Sequence, residues 1–144
     1  MPKHFVNKKN IFCQFDRTKI AKAIKVFKDE KLRILYNKNK LSREISILKD
    51  SIEIAHFDII GNFQEITSMG IGIEEEYQGF QLSRIMILSM LTEIEKEEID
   101  MNSYVYIDTD ASCGFWDKIG MEPDYTSGYE KKIILQKMIE WCKC

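Results

Sequence analysis

Proline, long apolar runs and an excess of one charge sign are all scarce in this sequence, and each shortage excludes a class of protein. Only two prolines and seven glycines occur among 144 residues, and no Pro/Gly/Ser-rich linker divides the chain, so we expect one domain over residues 1–144. The longest apolar stretch, Ile85–Leu91, is too short to cross a bilayer, and the first ten residues lack the apolar core of a signal peptide. We therefore expect a soluble cytoplasmic protein with no membrane partner.

The charges are balanced, with 21 Lys and Arg against 23 Asp and Glu and a net charge of −2. Proteins that bind nucleic acids normally carry a clustered basic surface, so we expect no nucleic-acid partner. The four cysteines are expected to be reduced thiols because no secretion signal precedes them. A metal site or a strained disulfide is one interpretation of Cys142-Lys-Cys144, but no histidine lies nearby to complete a metal site, so we expect no metal and prefer to interpret the pair as part of a frayed C-terminal tail.

The hydrophobic spacing of the first forty residues favours helices. Asp16 is a candidate N-cap for a helix whose buried face is formed by apolar residues at helical spacing, namely Ile20, Ala23, Ile24 and Phe27. Residues 31–41 are compatible with a helix or a strand, and helix is the preferred interpretation.

Three strands are predicted next. Glu44–Leu48 and Ile52–Ile60 are rich in isoleucine and flank the turn Lys49-Asp50-Ser51, a pattern typical of an antiparallel hairpin. Gly61-Asn62 then predicts a turn into a third strand, Glu65–Ile73.

A strand–helix–strand crossover follows. A broad apolar face predicts a long helix over Phe80–Glu98, and Tyr104–Ile107 reads as a short buried strand. Asp110 or Ser112 is a candidate cap for a short helix that ends at Gly120. The segment Tyr129–Trp141 fits a strand followed by a turn of helix, although helical spacing also runs through it.

The sequence at the junction between the third strand and the long helix predicts an anion site. Unpaired backbone N–H groups and the positive end of the helix dipole meet where loop Glu74–Phe80 enters the helix. Gly79 allows a ligand to approach the backbone closely, and Arg84 can add a charged contact to a phosphate.

Two sequence blocks resemble the GNAT N-acetyltransferase superfamily. The passage Ile71-Gly-Ile-Glu-Glu-Glu-Tyr-Gln-Gly-Phe-Gln-Leu-Ser-Arg84 resembles its acetyl-CoA motif, Gln/Arg-x-x-Gly-x-Gly/Ala at a helix start, and Phe115-Trp-Asp-Lys-Ile-Gly-Met121 is similar to its Phe-Tyr-Glu-Lys-Leu-Gly-Phe segment. Order and spacing of the two blocks agree with the family. The chain departs from the family in having Gln81 for the motif glycine, Ser83 for the last small residue and Trp116 for a tyrosine that protonates the leaving thiolate.

The resemblance implies an α/β (α+β) fold, a mixed, mostly antiparallel twisted sheet with flanking helices that splays between Glu65–Ile73 and Tyr104–Asp108. It further implies acetyl-CoA as cosubstrate. The main chain of Ile71 and Ile73 would pair with pantetheine, the phosphates would lie on the motif, and Ser112 would touch CoA. The expected phosphate contacts come from one continuous run of residues: Gln78, Gly79, Phe80, Gln81, Leu82, Ser83 and Arg84.

Direct acetyl transfer to an amine needs a base, and the resemblance assigns that role to Glu65. His56 is an alternative base, for which a hydrogen-bonded core position is the plainer interpretation. Asp108 and Asp110 are candidates for amine recognition or, more plainly, for helix capping, and Cys113 is a candidate acid.

The leading hypothesis is an acetyl-CoA-dependent N-acetyltransferase, monomeric or homodimeric, that acts on a primary amine. The alternative is a catalytically inactive module of the same fold that binds CoA or a partner protein. A nucleotide-binding α/β protein is a third interpretation, disfavoured because neither a Rossmann glycine triplet nor a P-loop lysine is present.

Overall fold

The computed structural model describes residues 3–40, 42–62, 65–97, 104–108 and 130–143. It is a mixed α+β structure built on a seven-stranded sheet whose spatial order follows the chain. The strands are β1 (Lys3–Phe5), β2 (Arg33–Lys38), β3 (Ser42–Lys49), β4 (Ile52–Asn62), β5 (Glu65–Ile73), β6 (Tyr104–Asp108) and β7 (Glu130–Ile134). The α-helices among these residues are α1 (Lys8–Phe12), α2 (Ala21–Asp29), α3 (Leu82–Glu95) and α4 (Leu135–Lys143).

Strands β1 to β5 form an antiparallel sheet, and β6 joins it in parallel with β5, where Met69 lies opposite Ile107. Strand β7 pairs with β6 in antiparallel orientation. The parallel pair is linked by α3, because parallel neighbours need a crossover connection rather than a hairpin. The predicted strand–helix–strand crossover is therefore confirmed.

Helix α2 is confirmed, but Asp16 is not its N-cap. The Asp16 carboxylate instead accepts hydrogen bonds from the backbone N–H (3.0 Å) and hydroxyl (2.7 Å) of Thr18, which closes a local turn before the helix. The residue at the N-cap position is Ile20, whose side chain cannot cap. An aspartate side chain can accept hydrogen bonds from groups two residues further along the chain, and this local turn competes with its use as a helix cap.

The preferred helix over residues 31–41 is wrong, because residues 33–38 form strand β2. This strand pairs with β1 on one side and with β3 on the other. Its burial alternates, with Ile34 and Tyr36 buried and their neighbours less so, which is the two-residue period of a strand. Pairing on both sides therefore outweighs the local pattern.

The predicted hairpin of β3 and β4 is confirmed, and the residue in its turn with a left-handed backbone is Asp50, at φ +58°. Gly61 and Asn62 do not form a turn. They extend β4 and pair with Ile66 and Glu65, so the predicted strand Glu65–Ile73 begins directly after a connection outside the described residues.

Helix α3 is the central core element and is shorter than the predicted Phe80–Glu98, since it begins two residues later and ends at Glu95. Its buried side chains include Leu82, Ile85 and Met90. None of the helices in the described part of the chain is long and apolar enough to cross a membrane.

The predicted final strand is confirmed as β7, followed by a full helix, α4. Within α4, Cys142 is completely buried and its thiol donates to the Arg84 carbonyl oxygen at 3.1 Å. The interpretation of Cys142 as part of a frayed tail is therefore wrong, while Cys144 lies outside the described residues.

The two faces of the sheet differ. We call core face the side that packs in the same apolar cluster as the helices, formed by Ile34, Tyr36, Ile45, Ile47, Phe57, Ile59 and Ile71. We call open face the other side of β3, β4 and β5, formed by Glu44, Ser46, His56, Asp58, Gly70 and Gly72, none of which is fully buried.

Candidate functional site

The loop from β5 to α3 contains two residues with left-handed backbones. Gly79 has φ +88° and Gln81 has φ +66°. Apart from Gly79 itself and its two chain neighbours, no residue has a heavy atom within 4 Å of the position that a Cβ on Gly79 would take, so the space beside this residue is open. None of the hydrogen bonds among the described residues uses the N–H of Gly79, Phe80 or Gln81 as donor, and no side chain caps α3. The loop therefore presents unsatisfied donors at the positive end of a 14-residue helix.

Gln81 occupies the N-cap position of α3. A left-handed backbone costs a residue with a Cβ roughly 1–2 kcal/mol, whereas glycine adopts it readily. The position where the resemblance expects the motif glycine is thus one where the backbone itself favours glycine. The substitution of glutamine leaves the backbone path intact at a cost in stability.

The side chains of Gln78 and Arg84, two predicted phosphate contacts, make hydrogen bonds within the protein. The Gln78 amide Nε2 donates to the Ile73 carbonyl oxygen at 3.1 Å and bridges the loop to the end of β5. The Arg84 Nη1 donates to the Cys142 carbonyl oxygen at 3.4 Å and so joins α3 to α4. The Gln78 contact fixes loop shape, and Arg84 engages a helix C-terminus, where a cation is favourable.

A three-residue polar cluster anchors the loop. One carboxylate oxygen of Glu30, directly after α2, accepts from the Tyr77 hydroxyl and from Lys49 Nζ, both at 2.8 Å. The hydrogen bonds from Lys49 and then Tyr77 lower the pKa of Glu30, and the bond to Glu30 raises the pKa of Tyr77. Sequence reasoning missed this cluster, whose members lie far apart in the chain.

Strand β5 lies between β4 and β6 in the sheet. The Glu74 N–H donates to the Ile54 carbonyl oxygen at 2.9 Å, which makes Ile54 and Glu74 a hydrogen-bonded pair. Since such pairs alternate along antiparallel strands, the main-chain groups of Ile71 and Ile73 point away from β4. Within the described residues β6 lies opposite Met69, so these two residues extend beyond the described β5–β6 pairing.

A register shift in the β4–β5 pair changes the face of Glu65. The pairing shifts by one residue between Ile60 and Gly61, and Glu65 lies opposite Asn62. Because a one-residue slip exchanges the faces of a strand, Glu65 belongs with Ile60 and Asp58 and not with Ile71. The expectation that Glu65 shares a face with Thr67, Met69 and Ile71 is therefore wrong, and Glu65 lies at an open-face position.

His56 is also on the open face, which corrects its interpretation as a core residue. Its side chain is 45% exposed, and its Nε2 lies 3.9 Å from Oδ1 of Asp58. The imidazole lies over Gly72, where a Cβ would come within 2.6 Å of the ring Cε1, and a Cβ on Gly70 would lie 3.2 Å from Asp58 Oδ1. The two glycines leave the space that both side chains occupy.

A cavity of about 270 Å³ joins the open face to the loop. His56 and Gly72 line one side, and Glu74 and Glu75, at the start of the loop, line the other. Burial raises the pKa of the Asp58 carboxyl, with smaller contributions in the same direction from Glu44 and Glu53, while His56 opposes them. The open face thus carries a carboxylate that holds a proton more tightly than an ordinary aspartate.

Several predicted site residues lie outside the described residues: Ser112, Asp110, Cys113, Trp116 and Gly120. Asp108 is the last residue of β6. In the described part of the chain, no group of three His, Cys, Asp or Glu side chains is arranged to hold a metal ion.

The structure places the main chain of Ile71 and Ile73 at the end of β5 from which the loop runs to the start of α3. Comparison with known proteins adds no assignment to this geometry. No protein-family model matches the chain, and no curated protein is significantly similar to it.

Proposed function

We propose that the protein is an acetyl-CoA-dependent N-acetyltransferase that moves an acetyl group directly to a primary amine, with the GNAT-like splayed sheet that this activity uses. The observation that carries the proposal is the row of unsatisfied N–H groups at Gly79–Gln81, at the start of α3. Such a row binds the oxygens of a phosphate diester, as expected for the pyrophosphate of CoA.

The position of the loop beside β5 supports the same ligand. The N–H groups of Ile71 and Ile73 point away from β4, towards the side of the sheet on which β6 lies. An extended pantetheine arm placed there would pair with them as a strand does. The cofactor would then run from the loop along β5.

In the proposed reaction the amine nitrogen attacks the thioester carbon, the C–N bond forms, the C–S bond breaks and CoA leaves as its thiol. Glu65 is the proposed acceptor of the amine proton. Its register position on the open face supports access from the side opposite the apolar core. The amine nitrogen loses one proton to Glu65, which passes it on to solvent, and the departing sulfur takes up one proton from solvent, so the overall reaction conserves protons.

The test is acetyl transfer by the purified chain, followed as CoA thiol release with a panel of primary amines. We expect amine-dependent release that saturates in acetyl-CoA. A Glu65→Gln variant is expected to lose at least tenfold in kcat while still binding acetyl-CoA, since general bases contribute about 10²–10⁴-fold. Absence of acetyl-CoA binding by calorimetry would contradict the cofactor assignment.

The second candidate is a module of the same fold that binds CoA without catalysis. Gln81 favours it, because a strained residue stands where the acetyl-CoA motif has glycine. The two candidates separate in one experiment. Saturable acetyl-CoA binding with no thiol release above the hydrolytic background, across diamines, amino sugars and peptides, favours the module.

A further inference from the structure

The end of α2 holds Glu30 at a defined position. The Leu32 N–H donates to the Phe27 carbonyl oxygen at 3.0 Å. The Lys31 N–H donates to the Lys28 carbonyl oxygen at 3.4 Å, and Lys31 itself has a left-handed backbone, at φ +53°. These two bonds around a left-handed residue form a Schellman motif, which ends a helix in one conformation. Leu32 is completely buried, so the core holds the chain in this conformation and Glu30 with it.

Lys49 provides Glu30 with a counter-charge from a second element. It is the last residue of β3 and precedes the left-handed Asp50 of the hairpin turn. Its Nζ donates to Oε1 of Glu30 at 2.8 Å. The two side chains are 30% and 44% exposed, so the ion pair contributes little to stability. Its consequence is geometric, because it orients the Glu30 carboxylate between α2 and the hairpin.

Tyr77 connects the same carboxylate oxygen to the loop before α3. Its hydroxyl donates to Glu30 Oε1 at 2.8 Å, and only 6% of the residue is exposed. Tyr77 ends the single 3₁₀ turn Glu75–Tyr77, two residues before Gly79. Because the Tyr77 ring is part of the apolar core, its position and that of the Glu30 carboxylate are linked.

The other hydrogen bonds at the start of the loop run to the sheet. The Glu74 N–H bonds to β4, and the Gln78 side chain bonds to the end of β5. Among the described residues, the bond from Tyr77 is therefore the hydrogen bond that ties this loop to the end of α2. The left-handed backbone of Gln81 follows four residues later. A residue with a Cβ keeps such a backbone only where its surroundings hold it, and the tie to Glu30 is one of these constraints.

We propose that Glu30 is a positioning residue for the loop: acting through Tyr77, it keeps Gly79–Gln81 in the conformation that presents their N–H groups to a ligand. The proposal rests on the proposed function for the identity of that ligand, acetyl-CoA, whereas the conformation of the loop is a property of the free protein. In this role Glu30 does not contact the reacting atoms, so it affects binding and not the chemical step.

The first test observes the loop without any ligand. Amide NMR signals of the isotope-labelled chain report the conformation of Gly79–Gln81, and their heteronuclear NOE reports its fast motion. We expect Glu30→Ala to shift these signals and to lower their NOE. Asp29→Ala is the matched control, because it removes the neighbouring carboxylate, which bonds to Lys25 within α2 at 2.7 Å, and should leave the loop signals unchanged.

A double variant tests whether Glu30 acts through Tyr77. Tyr77→Phe removes the hydroxyl and keeps the buried ring, so it should fold and should move the loop signals as Glu30→Ala does. In the double variant Glu30→Ala/Tyr77→Phe, we expect no change beyond that of either single variant. Unchanged loop signals in Glu30→Ala, equal changes in Asp29→Ala, or additive changes in the double variant overturn the proposal.

The second test adds acetyl-CoA and separates this proposal from the proposed function. Glu30→Ala and Tyr77→Phe should each weaken acetyl-CoA binding in calorimetry about tenfold, within the range typical of coupling between separate sites. Both should raise KM for acetyl-CoA with kcat retained, while Asp29→Ala should behave as the wild type does. Equal affinity in wild type and Glu30→Ala overturns the positioning role and leaves the proposed function standing. Loop signals that depend on Glu30 in a protein that binds no acetyl-CoA overturn the proposed function and leave the positioning role standing.

Discussion

Phe57 and His56 are neighbours on β4, yet they belong to different environments. Phe57 points into the core face and is completely buried, whereas His56 lies on the open face with nearly half of its side chain exposed. The core face is apolar except for the buried Arg43 opposite Ile59, and it holds the sheet to the helices. The open face carries glycines and facing carboxylates, which do little for stability. The difference indicates that the core face specifies the fold and that the open face is available for a ligand.

The largest expected effect comes from breaking the core side of this pair. Phe57→Ala should lower the free energy of unfolding by about 3–5 kcal/mol, because it removes a large buried side chain and leaves a cavity. His56→Ala should change it by only about 0.5 kcal/mol. Urea unfolding of both variants measures this, and similar losses would show that the open face is as structural as the core.

The next effect concerns the space under His56. Gly72→Ala places a Cβ 2.6 Å from the half-exposed ring, which must rotate away at a cost of about 0.5–1.5 kcal/mol. The added variant His56→Ala removes the ring, so the double variant should recover most of that loss. A double-mutant cycle gives the coupling, and additive losses would contradict the contact.

A smaller effect is expected at the loop. Gln81→Gly should raise the free energy of unfolding by up to about 1 kcal/mol, because glycine relieves the left-handed strain but is more flexible when unfolded. The control Gln14→Gly changes the same residue type at an exposed position without a left-handed backbone and should not stabilise. Equal changes in the free energy of unfolding of both variants would show that the backbone of Gln81 is not strained.

The smallest effect is on pH dependence. Burial raises the pKa of Asp58, so the folded protein holds this proton more tightly than the unfolded chain. Its stabilising contribution is present below the ordinary value of 3.8 and is lost as pH rises through the raised folded pKa. As the pH rises through that window, the free energy of unfolding of Asp58→Asn should therefore increase relative to that of the wild type. Unfolding curves of both proteins at a series of acidic pH values measure this difference. A difference in stability that does not change with pH would contradict the raised pKa of Asp58.

Much of the fold followed from the hydrophobic pattern, where that pattern agreed with tertiary structure. The hairpin, the strand Glu65–Ile73 and helix α3 were predictable because isoleucine-rich strands and a broad helical face bury the same residues locally and globally. Strand β2 was not, because pairing with β1 and β3 decides its conformation. Asp16 was misassigned because a local turn uses its carboxylate.

The candidate site was only partly predictable. The loop Gln78–Ser83 was recognisable from one glycine before a helix, and its left-handed Gln81 agrees with the motif position. The face of Glu65 was not, since a one-residue register shift leaves no trace in the sequence. The environment of His56 depends on Gly72 across the strand pair, and the sequence signal available was the pair of glycines within β5.

We propose that the loop before α3 binds the pyrophosphate of acetyl-CoA through its backbone. The most direct measurement is an amide NMR titration of the isotope-labelled chain with acetyl-CoA. We expect saturable shifts that are largest at the N–H groups of Gly79–Ser83 and extend to Ile71 and Ile73, with the Asp50 amide at the hairpin turn unchanged. No saturable shift at Gly79–Ser83 at millimolar acetyl-CoA would contradict it.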